Sequence, residues 1–270
     1  MKTCGFVKIL SLILAAVLLL ALAGCQTTAD KPQGDLLARI KERGYITIAT
    51  EGDWSPWTYH DESDALVGLD VEIGKLIAYE LGVEARFEET DWDSILAGVA
   101  AGRFDLACNG VGYTEERAQS YHFSTPYVYT HSVLVVRGDN VDITSFESLN
   151  GKKTANTASS TYAALAEKYG ATVTPVNTLA DTFELLLAGR VDATVNAEES
   201  IADYMKQHPE ADVKIVAKTP GEKVCYPVAK TDDAKSLIEE IDRILEKLRQ
   251  DGRLAAVSEK YFGIDLTKEN

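Results

Sequence analysis

AGRFDLACNG, residues 101–110, and AGRVDATVNA, residues 188–197, carry Ala, Gly, Arg, Asp and Asn at the same offsets, 87 residues apart. The surroundings repeat as well. Before the first copy, Leu69, Ile73, Leu76, Ile77 and Leu81 form one stripe of a helix headed by Asp70 and ended by Gly82. VEARFEE then reads as a strand, WDSILAGVAAG as a short helix and FDLACNG as a strand. Before the second copy, STYAALAEKYG, ATVTPVN, LADTFELLLAG and RVDATVNA give the same order of helix, strand, helix, strand. Gly82 lies 20 residues before Gly102, and Gly170 lies 19 before Gly189. Each decapeptide therefore ends one such unit. Its Gly closes a helix, its alternating apolar residues enter a central strand, and its Asn reaches that strand's carboxyl end. Ligands of open α/β sheets gather beyond those ends, so two facing units direct both Asn-bearing ends into one cleft.

The flanks complete an α/β chain with largely parallel sheets. DLLARIKERG is a helix and YITIAT a strand. STPYVYTHSVLVVRG and EKVCYPVAK are long enough to connect two bodies. AKSLIEEIDRILEKLRQDG places Leu237, Ile238, Ile241, Ile244, Leu245 and Leu248 on one helical face, and RLAAVSEKYFG is a last helix. Two crossing strands imply an inserted second lobe: residues 35–132 plus 228–265 form one lobe and 133–227 the other. Such a hinge permits closure around a ligand.

At the N-terminus, Lys2 and Lys8 precede an uncharged apolar run from Ile9 to Ala23. It is short for a membrane span, which needs about 20 apolar residues. It ends in LAGC, which resembles a bacterial lipobox. Residues 1–24 are thus expected to be a lipoprotein signal peptide and Cys25 the lipidated residue; an ordinary secretory signal is the alternative. Residues 25–34 read as a flexible stalk. The net charge of −15 becomes −17 once the two leader lysines are gone, which argues against nucleic acid as a partner. Cys108 and Cys225, inside apolar runs, read as buried thiols rather than a bridge.

Thr114 in GYTEERA is a good N-cap, which would put Glu115, Glu116 and Arg117 in a helix's first turn. The glutamates suit the helix dipole and the arginine does not. Arg117 then either grips an anion bidentately or pairs with a neighbouring glutamate. Ser159, Ser160 and Thr161 offer a second helix start, for capping or for an anion. Trp54 and Trp57 lie in a Pro-containing loop after a strand, one as a stacking surface for a ligand and the other as local packing. Trp92 is a further candidate wall. The four histidines show no metal spacing, no nucleophile lies beside a base, and no phosphate or dinucleotide fingerprint occurs. No catalytic residue, metal or cofactor is expected.

Taken together, LVGLDVEIGKLIAYELG, WDSILAGVAAGRFDLACNGVGYTEERAQSYHFSTPY, AGRVDAT and LRQDGRLAAVSEKYFG resemble the extracellular solute-binding proteins of polar amino acid ABC transporters, family 3, over residues 35–265. The resemblance implies a type II periplasmic-binding-protein-like fold closing over a free amino acid, which a membrane permease then receives. It implies a monomer on the outer face of the cytoplasmic membrane, or in the periplasm where there is an outer membrane. By the same resemblance, Arg117, Gly112 and Thr161 meet an α-carboxylate, with Ser160 beside them. Asn109 and Gly110 meet the α-ammonium, Trp54 stacks, Trp92 forms a wall and Glu51 touches the side-chain end. One position departs: where the family presents an aspartate to the ammonium, this chain has Ala197, flanked by Asn196 and Glu198. Since a buried ammonium without an anion is costly, Glu198 is expected to reach in, or the ligand is not a standard α-amino acid. An enzyme on the same scaffold, such as a cyclohexadienyl-type dehydratase, or a sensory ligand-binding domain are the alternatives. The first would need Glu51 or Glu198 as acid or base; the second usually comes with a transmembrane signalling segment, and the sequence ends at Asn270 without one.

Overall fold

Asp35 accepts the Ala38 amide at 2.9 Å and starts α1 (Leu36–Arg43), which Gly44 ends with a left-handed φ of 80°. The computed structural model describes residues 34–269, so the expected signal peptide, Cys25 and the stalk up to residue 33 lie outside the described residues. β1 (Tyr45–Thr50) leads into a small antiparallel sheet of β2 (Asp53–Trp54), β3 (Thr58–His60) and β4 (Leu66–Val67). Then come α2 (Leu69–Leu81), β5 (Glu84–Glu89), α3 (Trp92–Ala100) and β6 (Leu106–Ala107). The first main sheet has the order β5–β1–β6 and is parallel throughout.

The chain then crosses. After a 3₁₀ turn at Arg117–Gln119 come β7 (Tyr121–Phe123), β8 (Val128–Thr130) and β9 (Ser132–Arg137). The repeated unit follows as β10 (Lys153–Asn156), α4 (Thr161–Lys168), β11 (Thr172–Pro175), α5 (Leu179–Leu187) and β12 (Ala193–Ala197). Two elements that the sequence had not marked come next, α6 (Glu198–Gln207) and β13 (Val213–Lys218). The return runs through β14 (Glu222–Val224) and β15 (Pro227–Ala229) to α7 (Lys235–Gln250) and α8 (Arg253–Phe262).

The second sheet has the order β11–β10–β12–β9–β13. It is mixed rather than largely parallel, because β9 enters from the crossing and runs antiparallel to β12 and β13. Val133 and Val135 of β9 pack on one face and Leu134 and Val136 on the other, as the two-residue period requires. The two decapeptides also differ in setting: β12 lies mid-sheet, whereas β6 is two residues long at a sheet edge. The connecting strands are shorter than their sequence runs. Val128–Thr130 pairs antiparallel with Glu222–Val224, and Pro227–Ala229 with Tyr121–Phe123. Between these pairs, the Cys225 amide goes to the Val111 carbonyl and the Tyr226 amide to Ser124 Oγ.

The result is a two-lobed α/β architecture. The six α7 residues expected inward are all buried, and Cys108 and Cys225 are buried free thiols. Among the described residues, no helix is long and apolar enough to cross a membrane.

Candidate functional site

The carboxyl ends of both main sheets open on one cleft of about 590 Å³, its mouth included. The first-lobe side presents Glu51, Trp54, Trp92, Gly110, Gly112 and Arg117. The second lobe contributes Ser160, Thr161 and Asn196 to the same cleft. The structure thus brings together nine of the eleven residues singled out in the sequence.

Arg117 is half-buried, and its guanidinium is held by main chain. Nη1 donates to the Gly112 carbonyl at 3.0 Å and Nη2 to the Ser159 carbonyl of the second lobe at 3.3 Å. Its charge has Trp92 beneath it, 5.3 Å from the ring centroid. No described carboxylate lies in salt-bridge range, so neither Glu115 nor Glu116 is its partner; Glu115 accepts from Tyr113. Burial pulls the guanidinium pKa below its ordinary value, the direction expected of a cation taken from water without a counter-ion.

The other charged pole is acidic. Glu51 follows β1, and its carboxylate accepts Asn109 Nδ2 at 2.6 Å, while Asn109 Oδ1 accepts the Glu51 amide at 2.8 Å. Desolvation pushes the Glu51 carboxyl up to about 7, with Asp53, Asp91 and Asp93 adding repulsion. Asp53 lines the exposed edge of the cleft and is raised, chiefly by partial desolvation.

Between the poles stand the aromatics. Trp54 stacks on Trp57 with centroids 5.4 Å apart and meets Tyr162 of the second lobe edge-on at 6.5 Å. Trp57 is buried against Phe262, leaving Trp54 as the ring on the cleft. Gly110 must be glycine: its φ is 56°, and a Cβ there would sit 2.6 Å from the Trp54 ring. Its amide points to Asp70, a fully buried carboxylate that also accepts the Tyr226 hydroxyl at 3.0 Å. Burial raises Asp70 to about 6.

A model of the bacterial extracellular solute-binding proteins, family 3, matches residues 46–264. The chain belongs to that family. A probable amino-acid ABC transporter-binding protein of Haemophilus influenzae is 38% identical over 235 residues, covering 87% of this chain and 91% of that one. An ancestral arginine-binding protein bound to glutamine superposes with a TM-score of 0.77 at 36% identity, covering 82% of this chain and 99% of that one. The L-cystine solute receptor of Neisseria gonorrhoeae, in its unliganded open conformation, gives 0.59 at 38% identity, with 87% and 100% covered.

In this family 3 protein, the lobes also touch directly. Besides Arg117 on Ser159, the Ser159 hydroxyl bonds Asp93. Two expected site residues do not line the cleft. Asn109 is fully buried behind Glu51. Glu198 heads α6 and pairs with Lys218 at 3.3 Å, so it does not stand in for the missing aspartate. Its neighbour Glu199 is the inward one, bonded to Thr130, and burial raises it to about 7. Thr114 does cap, accepting the Arg117 amide at 3.0 Å, but the turn it starts is a single 3₁₀ turn without a helix dipole to invoke. Ser160 caps α4 by accepting the Ala163 amide and spends its proton on the Thr157 carbonyl.

The sequence reading missed a second-lobe wall of Asn156, Asn177, Thr178 and Thr182, with Tyr162 beside it. The signal was available. Asn156 ends β10, and Asn177 and Thr178 precede α5, so the strand-end rule applied to Asn196 points to them equally.

Proposed function

We propose that this family 3 protein is the substrate-capturing subunit of an amino acid ABC importer. It takes a free polar amino acid between its lobes, performs no chemistry on it and passes it to a membrane permease. The observation that carries this reading is Arg117: a half-buried guanidinium on the cleft wall with no described carboxylate to neutralise it. A ligand α-carboxylate supplies that anion, with Gly112 and Thr161 beside it. Trp54 offers its face to the ligand, and Glu51 with Gly110 lies toward the ammonium. The lobes, residues 35–132 plus 228–265 and 133–227, close about the paired crossing strands. Processing after residue 24 with acylation of Cys25 keeps the exported monomer on the outer face of the cytoplasmic membrane, or in the periplasm where there is an outer membrane.

A thermal-shift panel of amino acids on the full chain tests this. A ligand at about 100 times its Kd adds about 2.7 kcal/mol of stability. Arg117→Ala should abolish that rise and leave the ligand-free melting temperature nearly unchanged. An amino acid panel without any rise, or an Arg117→Ala chain that binds like wild type, overturns the reading.

A further inference from the structure

Ser159 reaches the first lobe twice. Its carbonyl accepts Nη2 of Arg117 at 3.3 Å, and its hydroxyl donates to the Asp93 carboxylate. One bond is made by main chain and the other by side chain. Local structure explains the placement of both partners. Ser160 caps α4 from an extended conformation, which leaves Ser159 just outside the helix with its hydroxyl free of the cap. Asp91 caps α3 by accepting the Ser94 amide at 3.0 Å, which leaves the Asp93 carboxylate free in the first turn. The starts of α3 and α4 therefore face each other from opposite lobes.

Two further contacts lie at the same helix start. Tyr162 meets Trp54 edge-on, and a Cβ built on Gly112 would lie 3.8 Å from Thr161 Oγ1. The first turn of α4 is thus the surface by which the second lobe rests on the first. Ser159 and Asp93 are both exposed, and neither belongs to the cleft lining. When the lobes part, hydroxyl and carboxylate pass to water, and neither is left buried and unpaired. The bond then contributes its net worth, and only while the lobes are together.

Resting on the importer reading above, we propose that Ser159 and Asp93 form a latch between the lobes that sets how long a captured amino acid is held, whichever amino acid it is. Ser159 is also a positioning residue, since the latch keeps its carbonyl on the Arg117 guanidinium. A bond made only in the closed form biases the closing equilibrium itself. Such a bias multiplies the affinity for every solute by one factor. It acts after encounter, hence on release rather than on capture.

Calorimetry and stopped-flow tryptophan fluorescence on the full chain test this, with the common amino acids and L-cystine as probes. Ser159→Ala should weaken every amino acid that binds by one common factor of about 3–10-fold, the worth of an exposed hydrogen bond to a charged group. The loss should lie in faster dissociation, with association nearly unchanged. Ser159→Thr keeps the hydroxyl and Asp93→Asn keeps an acceptor, so each should retain most of the affinity. Because Asp93 also repels Glu51, the bond itself is read from a double-mutant cycle. In an Asp93→Ala background, Ser159→Ala should cost nothing further. Full additivity in that cycle, or a wild-type dissociation rate in Ser159→Ala, overturns the latch. So do factors that differ widely between amino acids, which would make Ser159 a solute contact. Each of these outcomes leaves the importer reading standing. Binding of no amino acid at all removes both.

Discussion

The two copies of the repeated decapeptide agree at one end and part at the other. Gly102 and Gly189 both close helices in the left-handed region, with φ of 72° and 68°. The next arginine amide returns to the preceding turn at 2.9 Å in each copy, to Gly98 and to Leu185. The shared aspartate then pins the neighbouring strand: Asp105 accepts the Thr47 amide at 2.7 Å, and Asp192 the Lys153 amide at 2.8 Å. At the asparagine the likeness stops. Asn109 is buried and positions Glu51, whereas Asn196 caps its own neighbour's amide and lines the cleft. The repeat conserves the clasp between helix and strand, while the residues that reach the cleft are free to differ.

That contrast can be broken at its strongest point. Asp105 is 6% exposed and also bonds the Thr47 hydroxyl and the Arg43 guanidinium, whereas Asp192 is exposed. Asp105→Ala should cost about 2–4 kcal/mol, as loss of a buried paired charge does. Asp192→Ala should cost about 1 kcal/mol, one hydrogen bond's worth. Chemical denaturation of the ligand-free chain measures both, and equal costs would mean that the shared aspartate does not depend on burial.

A smaller effect follows from Glu51. Its folded pKa is raised, to about 7, so its favourable term is full below the unfolded value near 4.5 and disappears as pH rises through 7. The ligand-free melting temperature should fall between pH 5 and pH 8. Glu51→Gln should flatten part of that slope and raise stability at pH 8 by about 1–3 kcal/mol. Asp70 and Glu199, raised in the same direction, keep the remainder. An unchanged slope in Glu51→Gln would show that the cleft acid is not strained when empty. The smallest effect sharpens the point of agreement: Gly102→Ala and Gly189→Ala should each cost about 1–2 kcal/mol, the left-handed penalty. A large difference between them would end the equivalence of the two closures.

Most of the fold was legible because helix stops, apolar stripes and alternating strands are local signals. The doubled unit and Arg117 came from such signals. What stayed hidden depended on direction rather than pattern. Nothing in NAEES shows that Glu198 turns to Lys218 while Glu199 turns in. The antiparallel entry of β9 is set by the crossing, which periodicity does not record. Asn156 could have been found by the strand-end rule, but its orphan oxygen belongs to packing.

Asp70 joins three segments that are remote in the chain: the start of α2, the loop after β6 and the return crossing at Tyr226. One side chain thereby ties the bed of the cleft to the return crossing. Asn156, on the opposite wall, is tied instead to its own sheet through the Val195 carbonyl.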